Sequence, residues 1–175
     1  MGFGKVAVSG TSPPTARTKG FRITARTRPD SGVAFLTLDR DGDGLITSGR
    51  ELFGNHTRPE SPNGFDALAR TAMATNGGVK RASVSSDDPV YAQLLLWTDR
   101  NHNGSSEPSE LRPASEIVSD IGLGYSASDR QDRFGNLYIY EGWAAVRTGH
   151  GRNRMRDQDD EYRRITIFDI FFTMN

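Results

Sequence analysis

The sequence contains no cysteine. Disulfides, zinc ribbons, covalent haem attachment and thiol catalysis are therefore excluded. The absence fixes no compartment, because exported bacterial proteins also lack cysteine. Lysine is scarce as well: three of the 22 basic residues are Lys and the rest Arg, a bias that reads as GC-rich coding. There is no net charge, with 22 basic against 22 acidic residues, so no global field draws the chain to nucleic acid. No apolar run approaches the roughly 18 residues of a membrane span. The four Met do not cluster, so the Met-rich groove of cytosolic calcium sensors is missing. The three His (His56, His102, His150) stand at no zinc-binding spacing. No nucleophile–base arrangement and no Gly-x-Ser-x-Gly elbow is present, and the chain is not expected to be an enzyme.

What is present fits a single domain of 175 residues. Leu, Ile, Val and Phe make up about 21% of the chain, just above the level of roughly 20% at which disorder sets in. The expectation is a folded domain with a thin core that something else reinforces.

Residues 1–20 are rich in Gly, Ser, Thr and Pro and read as a flexible arm. They include no apolar stretch of 7–15 residues, so no secretory signal is expected there, and a fragment of a longer chain is one reading. Residues 21–175 read as one domain, with a helix–loop part at 31–116 and a β part at 117–173. Residues 20–28 alternate weakly, as in a strand. Short helices are expected over 31–38, from Phe65 to about Thr75, and from Val90 to about Thr98. The last follows Asp87-Asp88-Pro89, a capping acid before Pro. Period-two alternation predicts three strands, Ile117–Ser126, Leu137–Val146 and Tyr162–Phe172, with a turn at 132–136 and a long charged loop at 148–161.

The strongest signal is Asp39-Arg40-Asp41-Gly42-Asp43-Gly44-Leu45-Ile46. Carboxylates at positions 1, 3 and 5 of a loop converge on one hard cation. Gly at position 6 permits the sharp turn, Leu45 at 7 offers its carbonyl, and an apolar residue at 8 anchors the loop. Position 12 is Arg50, and the acid is Glu51 at position 13. A loop expanded by one residue lets Glu51 close the shell. Otherwise water completes the site on that side.

A second loop runs from Asp99 to Glu110. Asp99, Asn101, Asn103, Gly104 and Glu110 match positions 1, 3, 5, 6 and 12. Ser105 supplies its carbonyl, and Glu107 at position 9 ligates directly or through water. Position 8 is Ser106, a weaker anchor than an apolar residue. Loop one offers four negative groups and loop two fewer, so loop one is expected to bind more tightly. A degenerate stretch at 74–88, with one Asn and no clustered carboxylates, reads as a connection rather than a third site.

These residues resemble the EF-hand-like calcium-binding proteins of bacteria. Besides the two loops, Gly49-Arg50-Glu51-Leu52-Phe53-Gly54-Asn55, Asn63-Gly64-Phe65, Asp88-Pro89-Val90-Tyr91 and Phe168-Asp169-Ile170-Phe171-Phe172 carry the resemblance, which spans 31–172. It implies that Glu51 after Gly-Arg is a family trait, and that the protein binds calcium in an exported or surface-associated, extracellular setting. The fold class expected is α+β: short helices around two EF-hand-like loops, then an antiparallel sheet of about three strands. The function expected is binding of two calcium ions as structural stabilisers. The alternative is a calcium-dependent adhesion or assembly module, with an unknown protein partner contacting the arm at 1–30 and the loop at 148–161.

Overall fold

The computed structural model describes residues 6–10, 33–54, 57, 60–132, 135–147 and 162–171. The expected strand at 20–28, the charged loop at 148–161 and most of the arm lie outside these residues. Within the arm, Val6–Gly10 form strand β1.

The architecture corrects the expected fold class. The chain is mostly β-sheet, with one α-helix among the described residues. After β1 come β2 (Ala34–Leu38), α1 (Gly64–Thr75), β3 (Ser83–Ser85), β4 (Leu94–Trp97), β5 (Leu111–Pro113), β6 (Val118–Gly122), β7 (Ser126–Gln131), β8 (Leu137–Arg147) and β9 (Tyr162–Phe171). They build one sheet in the order β3-β6-β8-β9-β1-β2-β4-β5. β7 continues the edge of β8 beyond β6, opposite Leu137–Glu141. Two antiparallel groups, β2-β4-β5 and β3-β6-β7-β8-β9, are joined by β1, which runs parallel to both neighbours. The C-terminal strands are therefore not a separate three-stranded sheet; the first expected one, Ile117–Ser126, is β6, and a further strand, β7, begins at its last residue.

The helix expected over 31–38 is strand β2. The helix expected from Val90 is a single 3-10 turn, Tyr91–Gln93, followed by β4. A short apolar run fits a buried strand as well as a buried helix turn. Ala34-Phe35-Leu36-Thr37-Leu38 and Leu94-Leu95-Leu96-Trp97 pair with each other, Phe35 opposite Trp97 and Leu38 opposite Leu94. Each lies between two neighbours and buries both faces, which demands continuous apolar residues rather than alternation. The Asp88 carboxylate does accept the Ser85 N–H at 3.1 Å. It also accepts an N–H of the Asn76 amide and pairs with Arg81, so its capping serves a turn and not a long helix.

The core has two faces. Leu36, Leu38, Leu94, Leu96 and Ile167 point toward α1, where they meet Phe65, Leu68 and Ala72. Phe35, Trp97, Phe168 and Ile170 point the other way and meet Ile46 and Leu52 of loop one. α1 begins at Asn63, whose side chain accepts the Asp66 N–H at 2.8 Å. At Gly142 a Cβ would stand 2.6 Å from the ring of Phe65, so only glycine lets β8 pass the helix this closely. Asp169 lies on the α1 side, fully buried, and accepts the Gly64 N–H at 2.9 Å. Burial pushes its carboxyl up to about 6, against the pull of hydrogen bonds from the Gly64 and Ile170 backbone.

No helix among the described residues is long and apolar enough to cross a membrane.

Candidate functional site

Both acidic loops lie in the β2-β4-β5 group, and strands rather than helices deliver them. Loop one leaves the end of β2 and returns antiparallel to it: Leu38 N–H donates to Glu51 O at 2.8 Å, and Thr37 bridges Leu52. Loop two leaves β4 and returns into β5: Thr98 N–H donates to Glu110 O at 3.0 Å. Each loop is thus closed by the residue before its first Asp and by its Glu. Glu51 holds in loop one the place that Glu110 holds in loop two. The extra residue between Gly44 and Glu51 is absorbed inside the loop.

The side chains repeat the correspondence. Glu51 Oε1 accepts the N–H of Arg40 at 3.3 Å, and Glu110 Oε1 accepts the N–H of Arg100 at 2.8 Å; each donor is the loop's second residue. Both carboxylates are buried. Glu51 Oε2 takes the N–H groups of Thr47 and Ser48 at 2.8 and 2.9 Å, whereas Glu110 Oε2 takes the indole N–H of Trp97 at 3.2 Å.

At the mouth of loop one, Asp39 accepts the N–H groups of Gly42 and Gly44 at 2.7 and 2.9 Å. Asp41 accepts from Asp43 N–H at 3.3 Å and Asp43 from Leu45 N–H at 2.8 Å. In loop two, Asp99 accepts from Asn103 and Gly104 N–H, Asn101 from Asn103 N–H, and Asn103 from Ser105 N–H. Positions 4 and 6 turn left-handed in both loops, at Gly42 and Gly44 (φ 76° and 81°) and at His102 and Gly104 (φ 57° and 71°). The backbone curl throws the side chains at positions 1, 3 and 5 together.

In loop one the result is a carboxylate cluster. One oxygen each from Asp39, Asp41 and Asp43 lies within 4.8 Å of the others. Among the described residues this is the sole group of three or more acidic, His or Cys side chains so arranged. Glu51 is outside it, with its oxygens turned to loop amides. Leu45 and Ser105 sit at position 7 of their loops.

In loop two, Asn101 and Asn103 both donate their amide N–H groups to Glu107, Asn103 at 2.7 Å. These bonds, Asn103 first and then Glu110 and Asn101, hold the Glu107 carboxyl below its usual range. Oxygen donors of this kind suit a hard cation, and a carboxylate oxygen that accepts one N–H keeps a further lone pair.

Three residues escaped the sequence reading. Ser106 is no weak anchor. Its hydroxyl accepts the Ile46 N–H at 2.7 Å and donates to Ile46 O at 3.2 Å, which ties position 8 of one loop to position 8 of the other. Trp97 braces Glu110 through its indole N–H. At His102, position 4 of loop two, both ring nitrogens are covered. The stretch at 74–88 holds no cluster: Asn76 ends α1 and its side chain goes to Asp88. The contact surfaces suggested at 1–30 and 148–161 fall almost wholly outside the described residues.

The fold and loops define a mixed β-sheet domain carrying two paired acidic loops. The chain belongs to the SPM domain family, whose model matches residues 18–167. This corrects the resemblance to EF-hand-like proteins. The twelve-residue spacing is a local property of a loop, and the elements around the loops are strands. The chain is also similar to the iron-regulated protein FrpA of Neisseria meningitidis serogroup C, at 30% identity over 132 residues. That match covers 72% of this chain and 11% of FrpA, so the chain spans about a tenth of its relative's length.

Proposed function

We propose that this domain binds calcium in its two acidic loops and that the ions are structural. The observation that carries the reading is the convergence of Asp39, Asp41 and Asp43 in a loop curled by Gly42 and Gly44. Three clustered carboxylates repel one another, and a thin core must hold them together. A divalent cation relieves the repulsion and ties the hairpin from β2 to Leu52. Asp99, Asn101, Asn103, Glu107 and Glu110, with the Ser105 carbonyl, offer a second, less charged oxygen set. The Leu45 carbonyl serves loop one in the same way. Glu51 and Glu110 close the two loops, each with an Oε1 that receives one backbone N–H and keeps capacity for the ion.

Stabilisation then follows RT ln(1 + [L]/Kd), about 2.7 kcal/mol at a hundredfold excess over Kd. Affinities of about 10⁻⁴–10⁻³ M, those of extracellular modules, suffice for permanent filling in an extracellular or cell-surface setting. The test is a thermal melt followed by Trp fluorescence in excess calcium and in a calcium-selective chelator. Trp97 touches Glu110 and reports on loop two. A midpoint several degrees higher in calcium supports the reading, and identical melts refute it.

A further inference from the structure

The two antiparallel groups of the sheet do not meet edge to edge among the described residues; β1 lies between them. Ala7 is in register with Phe35 of β2 and with Phe168 of β9. The ladder continues along β9 from Val8–Asp169 to Gly10–Phe171. Phe35 of β2 and Phe168 of β9 belong to one core cluster, and Leu36 and Ile167 to the other. α1 lies against β1 as a cover. β1 meets the main chain of two facing strand edges, which need an extended partner. Its pairing is parallel on both sides, whereas every other pairing in the sheet is antiparallel. β1 also precedes the span 18–167 that matches the SPM domain family. The β9 residues that it pairs with, 168–171, follow that span, and the slot lies between β2 and β9.

We propose that the slot between β2 and β9 is a strand-acceptor site, with Val6–Gly10 as its exchangeable occupant. The same segment from a second copy, or as a free peptide, docks there by adding a parallel strand. The inference does not depend on what fills the acidic loops. To test it, a site-specific protease sequence is inserted between Ala16 and Arg17 of the full chain. The folded protein, checked by circular dichroism before cutting, is then cleaved. The expected result is that fragment 1–16 stays with the remainder on size-exclusion chromatography. A fluorescein-labelled peptide of residues 1–16 then displaces it, with saturable anisotropy. The same peptide carrying Val8→Pro, which lacks one backbone donor, binds at least tenfold more weakly. The proposal is overturned if the fragment separates on cleavage with no change in melting temperature, or if it stays but never exchanges with labelled peptide.

Discussion

The hydroxyl of Ser106 bridges the N–H and C=O of Ile46, sixty residues away, at 2.7 and 3.2 Å. Ile46 is buried against Phe35, Trp97 and Phe168, so its backbone has little access to water. One side chain thereby makes the two loops a single structural unit.

Ser106→Ala removes the bridge and leaves two covered backbone groups unmet. The expected loss is about 1–3 kcal/mol. It is read from urea denaturation in calcium and in chelator. Calorimetry of the same variant should show both calcium phases weakened. A change confined to loop two would mean that the loops act separately.

Asp41→Ala strips one carboxylate from the cluster of three without touching the core, since Asp41 is exposed. The tighter of two calcium phases in isothermal titration should weaken by at least tenfold, the weaker phase staying in place. Loss of the weaker phase instead would reverse the ranking of the loops.

Asp169 gives the fold a pH signature. Its folded carboxyl titrates at about 6, above its ordinary 3.8, so the native state holds the proton more tightly than the unfolded chain. Its contribution is fully present below about pH 4 and falls as pH rises to about 6. The shift corresponds to on the order of 3 kcal/mol at most. Asp169→Asn keeps an acceptor for Gly64 and cannot titrate. The stability difference between variant and wild type, measured in chelator, should move in the variant's favour from pH 4 to pH 7. A difference independent of pH would contradict the assignment.

Gly142→Ala forces a methyl into the ring of Phe65, itself fully buried, and should destabilise by about 1–3 kcal/mol. Gly124→Ala meets nothing within 4 Å and serves as the control. Equal melting temperatures for the two variants would show that β8 and α1 are not in close contact.

The curl of the two loops was legible because the residues that make it are nearly consecutive. Asp39, Asp41 and Asp43 sit together in the structure as their spacing demands. Helix α1 was legible for a similar reason, since Asn63 caps it and its apolar face recurs at helical spacing. The rest of the fold depends on distant partners. Nothing local tells Leu94–Trp97 that Phe35 and Leu111 will lie on its two sides, and without them the segment reads equally well as a helix. Ser106 looked like a poor anchor because its partner is on another loop. The partner of Asp169, the Gly64 N–H at the start of α1, is 105 residues away and leaves no local mark.

The register of Ala7 with Phe168 has a consequence for how the chain is made. A ribosome delivers β2, both loops and α1 long before β9 arrives. Pairing over such a distance is slow, so the β1–β9 ladder waits for the end of the chain. Until then β1 has β2 as its one neighbour, and the edge that β9 fills stays open.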